Sequence, residues 1–200
     1  MKRDFVFAYG SLLNPQSLRR TLPDIEFSAC VPARAYGFVR TWSVAFPNDG
    51  SQLDKSYRDA DGRKPDVVLF VNLESAVGSP ATAAAANGIL VPVTVERIRE
   101  LANRERRYQL EYISASVEVY PGFESEVDGE SRVAAFVGRT EFTRAEEVER
   151  GVISREYKNI IEDGVVYWDE RVVGFGLDFA ASTIVGSEVP VVPLTRIDHR

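Results

Sequence analysis

The chain has 200 residues, 44% of them hydrophobic and 27% charged, enough for one domain with a sizeable core. A net charge of −6, with no basic patch interleaved with aromatics, argues against a broad phosphate-binding surface and against nucleic acid as a partner. One cysteine, Cys30, and one histidine, His199, exclude an intramolecular disulfide and argue against a metal cluster or a Ser-His-Asp triad. Any catalysis must then rest on carboxylates, tyrosines, hydroxyls or backbone groups.

Lys2 and Arg3 precede an apolar stretch, but Asp4 interrupts it and Asn14–Pro15 follows without a small-residue cleavage site, unlike a signal peptide. No segment approaches the roughly 18 continuous apolar residues of a membrane helix. The expectation is a cytoplasmic protein that engages no membrane.

Residues 4–9 (DFVFAY) predict a strand, ended by Gly10–Ser11, with a short helix from Pro15 to Arg20. Residues 27–46 are β-rich. The polar stretch 48–66 reads as a long hairpin tip or a mobile flap. A buried strand is expected at 67–73, a loop at 79–88 (SPATAAAANG) and a strand at 89–93. Thr94 starts a helix running to about Gln109, and strands follow at 112–120 and 132–138. Thr143 to Glu146 has the form of a capping box, and Val148, Val152, Ile153, Tyr157, Ile160 and Ile161 behind it repeat at helical spacing. Residues 165–179 predict a hairpin turned at Asp169–Glu170, and 180–200 an extended arm. Strands dominate, so the expected class is α+β: a small mixed β-barrel with few helices around it.

The 94–109 helix carries the most informative residue. At about 100° per residue, Ile98, Leu101, Ala102 and Tyr108 share one face, and Glu105 falls in the middle of it. A carboxylate facing a core is costly unless paired or neutral, and desolvation raises its pKa into a range useful for proton transfer. A buried ion pair with Arg104, Arg34 or Arg40 fits the same position.

Gly10 breaks the first strand where another group could approach the backbone closely, and the N–H groups of Gly10, Ser11 and Leu12 could form an anion-binding concavity. An ordinary strand-to-helix turn explains the triplet equally well.

Taken together, FAYGSLL (7–13), NGILVPVT (87–94) and LANRERRY (101–108) resemble the gamma-glutamylcyclotransferase-like family over roughly residues 4–140. The resemblance implies that fold for residues 1–140, with 141–200 packed on the same domain as a helix, a hairpin and a tail. It implies conversion of a small gamma-glutamyl compound to 5-oxoproline and an amine, without cofactor or metal. Glu105 matches the catalytic acid/base, and Tyr9, Gly10, Ser11 and Leu12 match the loop that holds the gamma-glutamyl group. Tyr108 stands as a further substrate-binding candidate, and Tyr157 as a residue that lines the cavity or packs the core. The three-residue gap from Glu105 to Tyr108 differs from the longer, glycine-containing gap of the glutathione-specific members. Two other readings keep the fold. One is a non-catalytic module that binds a small carboxylate-bearing metabolite. The other is an interaction domain using the 165–179 segment and the tail as a partner surface, which leaves a homodimer open.

Overall fold

The computed structural model describes residues 4–76, 85–127, 130–185 and 189–199. The first strand, β1 (Asp4–Ala8), is buried on both faces. Phe5 and Phe7 enter one core with Leu69, Val71, Leu73 and Leu90. Val6 and Ala8 enter a second core with Leu13, Leu18, Trp168 and Phe175. Double burial explains why the stretch reads as continuously apolar instead of alternating.

After a 3-10 turn at Ser11–Leu13, Pro15 opens α1 (Pro15–Thr21), with the Asn14 side chain accepting from the Gln16 and Ser17 N–H groups. Strands β2 (Val31–Tyr36) and β3 (Phe38–Pro47) join at Gly37, whose φ of 75° favours glycine. Then come β4 (Lys55–Arg58), β5 (Val67–Ser75), β6 (Ala85–Val93) and α2 (Val95–Arg104). Strands β7 (Tyr108–Tyr112), β8 (Val117–Val119) and β9 (Arg132–Gly138) precede the short α3 (Ala145–Val148). The chain closes with β10 (Val152–Ser154), α4 (Arg155–Asp169), α5 (Phe175–Ser182), β11 (Thr183–Ile184), β12 (Val191–Val192) and β13 (Thr195–Asp198).

The α+β class holds. The expected barrel, however, is an open, branched sheet of order β12-β10-β5-β3-β6-β1-β9-β7, with β2 and β8 branching from β6 and β11 from β3. Strands β3 and β6 meet through one parallel bridge, Phe38 to Ala85, so the sheet splays into two halves there. Between β5 and β9 no ladder forms among the described residues. Side chains tie β5 to the β9–β7 pair instead: Asn72 Oδ1 accepts from Gly138 N–H of β9 at 2.8 Å, and the Tyr108 hydroxyl of β7 donates to Val71 O at 2.7 Å. No helix among the described residues is long and apolar enough to cross a membrane.

Several local expectations are corrected. The second helix stops at Arg104, and Glu105 is its C-cap (φ −89°, ψ 46°). Residues 85–88 are strand, not loop, because they pair with β2; residues 79–84 lie outside the described residues. The 112–120 strand is cut at Ser114–Ser116, where the Ser114 hydroxyl accepts the Val133 N–H at 2.8 Å and so takes a ladder partner's place. No capping box forms: Arg144 is the N-cap of α3 without a side-chain bond, and the Thr143 hydroxyl turns back to Thr140 O. The helix expected behind it is divided by Gly151, whose Cβ would lie 2.4 Å from Leu69 atoms, so Val152 and Ile153 join the sheet beside β5. The 165–179 hairpin is two helices, because the helical period continues through buried Ile161, Gly164 and Trp168. The tail is no free arm: β12 pairs with β10, and β13 pairs with β4 inside the 48–66 stretch.

Candidate active site

The site forms where β1 ends between the two halves of the sheet. Gly10 has a φ of −128°, so its role is to provide space: a Cβ there would lie 2.5 Å from Val71 Cγ2. The turn beyond it closes through Leu13 N–H to Gly10 O at 2.9 Å. The N–H groups of Ser11 and Leu12 open this turn, so no carbonyl of the turn stands behind them. Helix α4 supports the turn from outside. Gly164 brings the helix so close that a Cβ would lie 2.7 Å from Asn14 N, and Trp168 Nε1 donates to Leu13 O at 3.2 Å.

Tyr9 is fixed at both ends. Its hydroxyl donates to Phe136 O, and its carbonyl accepts from Arg40 Nε at 2.6 Å. Arg40 is fully buried, donates also to Thr183 Oγ1 at 2.8 Å and to Asn87 O, and stacks 3.9 Å from the Phe179 ring. Burial depresses its pKa below the ordinary arginine range.

Glu105 follows α2 directly, its N–H donating to Leu101 O at 2.8 Å. Its side chain is 19% exposed and its Oε1 lies 3.1 Å from Arg104 Nε. Arg104 also reaches the loop: Nη2 donates to Ser11 Oγ at 2.9 Å, and Nη1 to Ser17 O at 3.1 Å and to Thr21 Oγ1 at 2.5 Å. One guanidinium therefore ties the carboxylate to the Ser11 turn. Burial raises the Glu105 pKa above its usual range, against the lowering effect of Arg104, Lys55 and Arg107. Burial, with a contribution from Glu105, likewise raises the phenols of Tyr9, Tyr108 and Tyr157, which stay protonated at neutral pH.

Tyr9, Gly10, Ser11, Leu12, Glu105 and Tyr108 all line one cavity of about 40 Å³, with Val71, Phe136 and Tyr157. Ser11, Glu105, Tyr108 and Tyr157 also line an outer cleft of about 730 Å³, so they form the boundary between the two spaces. The ion-pair and cavity readings of Glu105 are thus both true of one side chain. Among the described residues, no group of three or more His, Cys, Asp or Glu side chains is placed to hold a metal ion.

Lys55 and Arg107 were not singled out from the sequence; of the partners expected for Glu105, Arg104 pairs with it, whereas Arg34 pairs with Asp178 and Arg40 serves the Tyr9 carbonyl. Arg40 left a signal, a charge inside the apolar strand FVRTWSVAF (38–46). Lys55 and Arg107 left none, since each sits among polar residues and is brought to the cleft by the fold.

Neither a scan of protein-family models nor a comparison with curated proteins returns a match. Solved structures do match. A yeast gamma-glutamyl cyclotransferase specific to glutathione superposes with a TM-score of 0.54 at 13% identity, over 91% of this chain and 96% of its own. The chain has the gamma-glutamylcyclotransferase-like fold. A structure described as a gamma-glutamyl cyclotransferase matches at TM-score 0.54 and 12% identity, over 96% of this chain and 94% of its own. A human protein described as uncharacterized matches at 0.52 and 13%, with the same coverage. At such identities the gamma-glutamylcyclotransferase-like likeness concerns the fold, and chemistry must be argued from the side chains.

Proposed function

We propose that the protein is a cofactor-free gamma-glutamylcyclotransferase-type enzyme with Glu105 as its acid/base. In this reading the α-amine of a gamma-glutamyl compound attacks its own γ-carbonyl. A new C–N bond closes the five-membered ring of 5-oxoproline, and the bond to the departing amine breaks. The nucleophile arrives with the substrate, so the protein's task is orientation and proton transfer, and orienting an intramolecular attack can remove several kcal/mol from the barrier.

The observation that carries the proposal is the convergence of Glu105 and residues Tyr9–Leu12 on one cavity. The substrate amine, with a reference pKa of roughly 8, is mostly protonated at neutral pH and needs a base. A desolvated carboxylate of raised pKa suits that task and can return the proton to the leaving nitrogen. The opening N–H groups of the Ser11 turn are suited to the substrate's α-carboxylate or to the oxyanion that develops on its carbonyl. Tyr108 and Tyr157 close the outer side of the space where the ring forms.

Glu105→Gln tests the role, because the amide keeps the shape and cannot accept the proton. Turnover of gamma-glutamyl amino acids, amines and glutathione, followed as 5-oxoproline, should fall by about 10²–10⁴-fold while the protein stays folded. Unchanged 5-oxoproline release by that variant would refute the assignment.

A further inference from the structure

Past Glu105 the cleft widens to about 730 Å³, far beyond what the inner cavity offers a gamma-glutamyl group. Six Lys and Arg side chains line it against four Asp and Glu, a cationic excess in a chain whose net charge is −6. Three of these cations are answered: Arg104 by Glu105, Arg107 by Asp54, and Arg196 by Asp198.

Lys55 is placed differently. Its Nζ sits 4.6 Å from the Phe70 ring centroid, 5.3 Å from Phe46 and 5.8 Å from Tyr57, and among the described residues it makes no ion pair. The Arg107 guanidinium lies 4.6 Å from the same Phe46 ring, and its Nε is buried without an acceptor. Two cations therefore share one aromatic ring. Burial and the like charges of Arg196 and Arg107 work against the Lys55 ammonium, while Asp54 and Glu105 favour it. An anion seated at the ammonium would make a charge-assisted hydrogen bond and relieve that repulsion.

The inference rests on the cyclotransferase reading of the inner cavity. With the gamma-glutamyl half held at residues 9–12 and its carbonyl beside Glu105, the departing amine projects into the cleft that Lys55 lines. We propose that Lys55 anchors an anion subsite for the departing half of the substrate. The class turned over is then gamma-glutamyl derivatives of amines that carry a carboxylate, in preference to those of simple amines. Tyr57 and Phe70 line the cleft beside Lys55, and Phe46 packs behind them, so one side of the ammonium faces aromatic rings instead of water.

The test compares gamma-glutamylalanine with gamma-glutamylethylamine, which differ by that carboxylate alone. The wild-type protein should favour the alanine compound in kcat/KM by roughly tenfold or more, the worth of one hydrogen bond between charged groups. Lys55→Met keeps the length and the ring packing, and the ratio should fall toward unity; Lys55→Arg should keep much of it. No wild-type preference, or a preference that survives Lys55→Met, overturns the subsite. If neither compound yields 5-oxoproline, the cyclotransferase reading falls, and calorimetric binding of the same pair decides the subsite. Binding that requires both the carboxylate and Lys55 supports it; binding indifferent to either, or no binding, overturns it.

Discussion

Gly10 offers the sharpest test of how the site is packed. A methyl group there would lie 2.5 Å from Val71 Cγ2, well inside van der Waals contact, and Val71 is itself buried between the two halves of the sheet. Overpacking of this kind costs about 1–3 kcal/mol. Gly10→Ala alone should therefore lose about 1–3 kcal/mol. Val71→Ala alone deletes two buried methyl groups, which costs about 2–3 kcal/mol once the cavity left behind is included. In the double variant the new methyl occupies the space the valine has vacated. Its loss should fall short of the sum of the singles by about 1–3 kcal/mol. Urea unfolding of the four proteins at one pH measures the cycle, provided the m-value stays constant. Additivity within about 0.5 kcal/mol would show that the approach of Gly10 to Val71 is not the constraint described. Turnover should follow the same pattern, lowest in Gly10→Ala and partly restored in the double variant, because the clash displaces the turn that faces Glu105.

Arg40→Met removes the donors to the carbonyls of Tyr9 and Asn87, each of which costs about 1–3 kcal/mol when left unpaired in the core. Relief of a buried cation returns part of this, so thermal unfolding should show a net loss and Arg40→Lys, lacking the fork, should not rescue it; a variant as stable as wild type would contradict the role. The Lys55 ammonium has its pKa lowered from 10.5 to about 7, by burial first and by Arg196 and Arg107 next. Between those two pH values the unfolded chain holds a proton that the folded chain has released, so the contribution of Lys55 to stability rises with pH across that window and is lost as pH falls through about 7. Urea unfolding of wild type and Lys55→Met at several pH values should show the difference between them moving toward wild type as pH rises. A flat difference would place the ammonium in water.

Glu105 was found on the correct side of the chain through an incorrect local geometry. A helix continuing to 109 would set Glu105 and Tyr108 one turn apart on a shared face. Instead the helix ends at Arg104, the backbone turns at Glu105, and Tyr108 starts a strand while its N–H donates to Glu105 O at 2.9 Å. Both side chains still meet the cavity, because a C-cap residue continues the face of the last turn and Leu101, one turn back, is fully buried. The open sheet and the paired tail were less accessible. Register between β4 and β13 joins residues far apart in sequence, Lys55 with Asp198, and neither polar segment carries a period that announces a partner. The 165–179 stretch misled for a related reason: Val166 and Val173 are apolar but exposed, so they imitate strand alternation on the outer side of a helix and its following turn. Arg40 marks the division most plainly. Its charge in an apolar strand signals that something unusual is buried, but what it serves are the carbonyls of Tyr9 and Asn87, and every residue has a carbonyl. A site's side chains break a hydrophobic pattern and can be found by that break. The backbone groups they hold in place break no pattern, which is why Arg40 stands out as a charge in an apolar strand while the carbonyls of Tyr9 and Asn87 that it serves do not.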